Sequence, residues 1–487
     1  MIRYGFWLYT ATVCGNSLWA QDPVVENRQE TATLPGTEYL TSTDTSLPGK
    51  QLFLIRHIVL VGNKKTRPEI ILREIPFRAG EEYPMQQLVS KFEDARKQLM
   101  NTSLFHEVSV AVQNTDRYTV DVVVEVKERW YIFPVPYFKP VDRNLNQWIF
   151  EQNTSLSRVN YGIKLMYYNA TGRNDKFRFY FITGYTKQFS FSYDRLYIDR
   201  EMKWGMNVGF ATGKNRELNY NTIDNKQVFL KDNDHFVRNF VNANAEVTYR
   251  RAIKTRHRFG VAYTRENVHD TIVALNPAYF KPGHKTIQFP ELYYSMSYFD
   301  LDYIAYPTKG YAAELQLGKR GFNSSINVWQ LSVKGLGSWP LAPKMFVSLR
   351  AYGGIKLPFK QPYFNTRFLG YSDVFLQGYE YYVIDGVAGG YLKATLTRQL
   401  VGFNIKVPGR KGKASYNVPF RIYGKIYGNT GYVHNPQPGK NFLSNTMLYS
   451  GGLGLDIFTF YDFTFKFEWS FNQIGQNGLF LHNKSVF

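Results

Sequence analysis

From Phe458 to Phe471 the chain reads Phe-Thr-Phe-Tyr-Asp-Phe-Thr-Phe-Lys-Phe-Glu-Trp-Ser-Phe. Successive side chains of an extended strand point to opposite faces. From Tyr461 onward, one face therefore carries Tyr461, Phe463, Phe465, Phe467, Trp469 and Phe471. The other carries Asp462, Thr464, Lys466, Glu468 and Ser470. A soluble sandwich rarely puts six consecutive aromatics on the buried face of one strand. A strand with hydrocarbon on one side and a hydrated interior on the other requires this division. The fold class it points to is an all-β antiparallel transmembrane barrel.

The same two-faced pattern recurs from Trp130 onward. Phe177, Phe179 and Phe181 alternate with Arg178, Tyr180 and Ile182; Tyr311, Ala313, Leu315 and Leu317 alternate with Glu314, Gln316 and Arg320. Val347, Leu349 and Ala351 alternate with Ser348, Arg350 and Tyr352, and Phe420, Ile422 and Ile426 with Arg421, Tyr423 and Lys425. Such segments number about 16, the even count expected of a bacterial barrel. If both ends face the periplasm, odd-to-even connections are outer loops and should be long. Lys139–Arg158, Gly213–Phe236 and Asn267–Phe289 fall there, while the short turns Ala170–Arg173 and Tyr306–Gly310 fall on the periplasmic side. Gly402–Asn417 is the exception, long for a periplasmic turn.

Composition agrees. Aromatics are 17% of the 487 residues, and past the amino terminus no apolar run is long enough for a membrane helix. The net charge of +20 raises nucleic acid as a partner. No basic helix or known nucleic-acid module is present, so the charge is assigned to loops, lumen and contact with anionic lipid headgroups. Met1–Ala20 reads as a secretory signal, with Arg3, an apolar stretch from Tyr4 to Val13, and Leu-Trp-Ala before Gln21. Cys14, the sole cysteine, falls inside it. Residues 21–50, rich in Thr, Ser, Pro, Gly and Glu, read as a disordered leader.

Residues 51–129 read as a compact α+β module of order β-α-α-β-β. Phe53–Val61 is a strand ending at Gly62-Asn63. Thr66 and Glu69 are placed for a capping box on a short helix. A loop through Gly80 leads to a helix with Met85, Leu88, Phe92, Ala95 and Leu99 on one face. Glu107–Val112 and Thr119–Val126 follow, the latter with Val120, Val122, Val124 and Val126 on one side.

Ile58-Val59-Leu60-Val61-Gly62-Asn63, Gly80-Glu81-Glu82-Tyr83, Leu104-Phe105-His106-Glu107-Val108 and Val124-Glu125-Val126-Lys127-Glu128 together resemble a POTRA domain. With the barrel behind it, the chain resembles the BamA/TamA superfamily of outer-membrane assembly factors, as does the turn Tyr306-Pro307-Thr308-Lys309-Gly310. That resemblance implies a periplasmic POTRA domain receiving unfolded outer-membrane clients by strand addition at a sheet edge. It also leaves room for accessory lipoproteins. Between the eleventh and twelfth strands, the sixth outer loop Leu357–Val387 contains Leu376-Gln377-Gly378-Tyr379-Glu380. Family members carry a hydrophobic-Arg-Gly-aromatic motif here that folds into the lumen, its arginine pairing with barrel carboxylates. Gln377 stands in the arginine's place and can form no ion pair, so weaker docking is expected.

The first barrel strand, Tyr131–Phe138, contains Pro134 and Pro136, which remove donors from the same side of the ladder. A weak first/last-strand seam is one reading; a linker ahead of the strand is the other. Family members are thought to open at that seam. Phe487, an aromatic carboxyl terminus usual in outer-membrane barrels, reads as an assembly signal. There is no HExxH pair, phosphate loop or Gly-x-Ser-x-Gly elbow. Glu314 and Glu468 read as charge-balanced wall residues, so neither enzyme activity nor a cofactor or metal is expected. An outer-membrane insertion factor is the leading expectation; the alternatives are a two-partner-secretion-type pore and a passive porin.

Overall fold

The computed structural model describes residues 51–140, 159–199, 201–322, 326–371, 374–407 and 416–482. The signal segment, the 21–50 leader, Phe487 and most of the first outer loop lie outside the described residues.

The first module runs β1 (Leu52–Val61), α1 (Pro68–Glu74), β2 (Glu82–Pro84), α2 (Met85–Asn101), β3 (Phe105–Asp116) and β4 (Thr119–Glu128). Its sheet order is β2-β1-β4-β3, with β1 and β4 parallel. The four alternating valines of β4 are buried against Leu88, Ala95 and Leu99 of α2 and Phe105 of β3. Each such side chain contributes roughly 2 kcal/mol on burial. Three expectations need correcting. The element order gains β2, whose three residues are too few to carry an alternation. Met85 is exposed because it is the first residue of α2, ahead of the turns that lie on the sheet. The capping box does not form: Arg67 precedes α1 with no side-chain cap, and Pro68 needs no donor partner at the first helical position. The Thr66 hydroxyl is instead engaged by Asn169 Nδ2 at 2.9 Å and the Tyr131 hydroxyl at 3.2 Å.

Gly62 and Gly80, singled out in the sequence, both have φ of +89°. At Gly62 a Cβ would also lie 2.0 Å from the Val126 carbonyl oxygen, so β1 can leave the sheet only over a glycine. Gly80 has open space around it and needs glycine for its backbone alone.

Among the described residues, one antiparallel sheet of sixteen strands follows, from Ile132–Pro140 to Asn477–His482, each strand paired with its neighbour in the sheet in chain order. Strand fifteen, Thr464–Asn472, has Phe467, Trp469 and Phe471 exposed outward and Thr464, Lys466, Glu468 and Ser470 buried inward. It begins three residues later than the alternation suggests. Phe460–Asp462 is a tight turn in which Tyr461 and Asp462 take φ of 56° and 68°. The turn continues the aromatic–polar alternation by residue type alone, so the pattern runs across a bend it does not describe. Gly402–Val407, read as part of a long turn, belongs to strand twelve (Ala388–Val407), with Phe403 stacked on Phe420 at 5.5 Å.

Two of the long connections between strands are folded. Gly213–Phe236 holds the hairpin Glu217–Ile223/Lys226–Lys231, turning on Asp224 and Asn225, both with positive φ. Asn267–Phe289 holds a helix, Asp270–Leu275. Among the described residues no helix is long and apolar enough to cross a membrane.

Candidate functional site: loop six, the first-strand edge and the POTRA-side mouth

Loop six packs against the inner wall at strands thirteen to sixteen. Leu376 and Tyr379 are buried with Val433, Leu443 and Leu448. Gly378 has φ +90°, and a Cβ there would sit 3.0 Å from Ser450 Cβ and 3.1 Å from the Phe471 carbonyl oxygen, so close approach requires glycine. Its carbonyl accepts from Asn472 Nδ2 at 2.7 Å, and Tyr379 donates to the Tyr449 carbonyl at 3.1 Å. The Gly378 N–H donates to the Glu380 carboxylate at 2.9 Å.

Gln377 Nε2 donates to Glu468 Oε1 at 2.9 Å. The positive charge beside that carboxylate comes from the wall: Lys425 pairs with Glu468 and, at 2.6 Å, with Asp456. Register explains the meeting. Lys425 lies opposite Gly454, and Gly454 opposite Glu468, so the two side chains join across a residue without one. A Cβ on Gly454 would stand 3.0 Å from Lys425 Cε. His482 Nδ1 lies 2.6 Å from Glu468 Oε2, and its Nε2 lies 3.8 Å from Glu380. The loop thus docks with a neutral donor where charge was expected, because strand thirteen carries the cation. Sequence reading missed Lys425 and His482; their inward register beside Glu468 was the available signal. Glu314 pairs with Arg258 at 2.9 Å and Lys334 at 3.7 Å, so it and Glu468 each sit with their own cations.

Pro134 and Pro136 lie within the first barrel strand, opposite Leu165 and Ile163. Tyr168 N–H donates to the Tyr131 carbonyl at 2.8 Å, so the odd-numbered residues of this strand face the second strand. Pro134, Pro136 and Pro140 turn their nitrogens the other way, toward the edge of the sheet. Among the described residues no ladder pairing joins strands one and sixteen.

The amino-terminal module lies across the short turns at one end of the barrel. Arg129 holds Asp462 at 2.6 Å. Arg67 N–H donates to the Gly172 carbonyl at 2.9 Å, Arg73 to the Met202 carbonyl at 3.1 Å, and Asn101 to the Leu301 carbonyl at 3.1 Å. Glu74, buried in α1, receives Arg250 NH2 at 2.7 Å and Arg73 at 3.0 Å. Burial alone would push the Glu74 carboxyl up, but Arg250, Arg73 and Arg256 hold it down at about 2. Tyr461 packs edge-on against His106 at 4.8 Å. Phe105, fully buried, anchors the start of β3 beneath this contact.

Residues 53–129 match the POTRA family model, described as a surface antigen variable number repeat. Among solved structures, BamA from Haemophilus ducreyi lacking POTRA domains 1-3 is similar at 16% identity over 88% of this chain and 83% of that one, with a TM-score of 0.45. CdiB from Escherichia coli is similar at 11% identity over 89% and 74%, with a TM-score of 0.50. CdiB from Acinetobacter baumannii is similar at 12% over 87% and 71%, with a TM-score of 0.46. No curated protein sequence matches the chain. At these identities the likeness is one of fold, and the class that the fold defines is a β-barrel bearing a POTRA domain. The architecture is a single POTRA domain followed by a 16-stranded antiparallel barrel among the described residues.

Proposed function

We propose that this chain is an outer-membrane insertion factor, with its POTRA domain in the periplasm and its leading client contact at the edge between strands one and sixteen. The observation that carries this reading is the first strand: the nitrogens of Pro134, Pro136 and Pro140 point to the sheet edge, so that edge offers carbonyl acceptors with few donors. A client strand supplying N–H groups pairs with such an edge at little cost to the resident ladder. Strand β3 of the POTRA domain lies at its own sheet edge and is the second capture surface. Clients are unfolded outer-membrane proteins; anionic headgroups and accessory lipoproteins are the further partners this reading allows. A passive porin fits poorly, because loop six occupies the lumen and the POTRA domain lies across the turns at its mouth.

Depletion followed by a survey of the outer-membrane proteome tests the reading. Several barrel proteins should fall together. Loss of one secreted partner alone would point to a dedicated export pore, and no loss at all to a channel. A second arm introduces Val135→Cys and Leu481→Cys across the edge. Oxidation should slow client insertion and reduction restore it; unchanged insertion would refute the edge mechanism.

A further inference from the structure

The lumen contains a cavity of about 430 Å³ whose wall carries five cations, Lys334, Arg350, Lys393, Lys425 and Lys466, against three carboxylates. The carboxylates are already engaged. Glu314 is taken by Arg258 and Lys334, Asp456 by Lys425 and the Tyr306 hydroxyl at 3.0 Å, and Glu468 by Lys425, His482 and Gln377. The Glu380 carboxylate is turned to the Gly378 N–H.

Arg350, Lys393 and Lys466 are left with no carboxylate in ion-pair reach among the described residues. Lys393 and Lys466 are only 7% and 8% exposed. Lys393 lies over the rings of Phe375 and Tyr391 at 4.3 and 4.6 Å, which are weak substitutes for an anion. Arg350 and Lys393 are direct cross-strand partners, and both point inward, since their neighbours Leu349 and Leu392 are exposed outside. Like charges directly opposed destabilise a ladder, and buried charges are ordinarily paired. With five cationic side chains against three carboxylates, the cavity wall carries a formal excess of positive charge that suits a multiply charged anion.

We propose that Arg350, Lys393 and Lys466 form a luminal binding site for a phosphate-class dianion. The guanidinium presents a planar fork to two oxygens and the two ammonium groups supply point charges to the others. The cavity is large enough for phosphate with its water, or for the phosphate of a larger molecule. The site stands independently of client insertion and is tested without clients.

The test uses the purified full-length protein in zwitterionic detergent, titrated with inorganic phosphate at fixed ionic strength and followed by calorimetry and thermal midpoint. Saturable binding should weaken at least about tenfold in Lys393→Gln and in Lys466→Gln, and be retained in Lys393→Arg. Removing a cation from an overcharged cluster should also raise the phosphate-free midpoint, which distinguishes lost binding from lost folding. Repeating the titration in nanodiscs separates sources. Equal affinity in phosphatidylcholine and phosphatidylglycerol identifies soluble phosphate, whereas weaker apparent affinity in phosphatidylglycerol identifies a competing lipid headgroup. Undiminished affinity in both glutamine variants, or no saturable binding at millimolar phosphate, overturns the proposal.

Discussion

Replacing Glu74 by glutamine should loosen the POTRA domain from the barrel. Glu74 is 3% exposed and lies among Arg73, Arg250 and Arg256 as their shared counter-ion. Holding its carboxyl at about 2 rather than the ordinary 4.5 corresponds to roughly 3 kcal/mol of interaction. That agrees with the roughly 3–5 kcal/mol lost when one partner of a buried ion pair is removed. Because the folded value is depressed, this contribution is complete above pH about 4.5 and drains away as pH falls toward about 2. Amide hydrogen exchange on protein in detergent is the assay, read at α1 and at the 250–254 turn. In Glu74→Gln, protection of both should fall by roughly two orders of magnitude at pH 7, while the strand ladders stay protected. The wild type should lose the same protection between about pH 4.5 and 2, and the variant should show no such step. Equal protection in variant and wild type, or an identical acid response in both, would refute the clamp.

Lys425→Met should cost about 3–5 kcal/mol, since Glu468 and Asp456 lose their shared cation, whereas Gln377→Ala removes one neutral donor and should cost about 1–2 kcal/mol. Thermal unfolding in detergent should rank them in that order; a larger effect for Gln377 would place the weight of the network in the loop. Gly62→Ala should destabilise the POTRA domain by about 2–4 kcal/mol, from positive φ and overlap with the Val126 carbonyl, measured by denaturant unfolding. Burial, with the Arg129 guanidinium beside it, holds His106 down at about 4. Its folded value is below the ordinary 6.5, so the junction should weaken as pH falls from about 6.5 to 4, and His106→Phe should flatten that slope in a proteolysis assay.

The barrel was legible because a period of two survives in strands such as the fifteenth, with Phe467, Trp469 and Phe471 outside and Lys466 and Glu468 inside as their positions dictate. The same logic overran at Tyr461 and Asp462, where side-chain type continued a pattern that the backbone had left. Strand β2 and the start of α1 were invisible or misread for a different reason. Their conformation is set by distant partners, such as Leu54 across from Glu82 and Asn169 beside Thr66, and local propensity carries no trace of these. At loop six the motif itself could be read. The compensation for Gln377 could not. Lys425, Gly454, Glu468 and His482 come from four strands, and only the register brings them together.

The placement of the POTRA domain has a mechanical corollary. It grips the barrel on both flanks of the sheet's two ends: Arg67 and Thr66 hold the turn after strand two, and Arg129 holds the turn before strand fifteen. The domain therefore acts as a staple across the base of the wall. Widening the gap between the sheet's two ends on the side of the POTRA domain would therefore strain the Arg129–Asp462 pair.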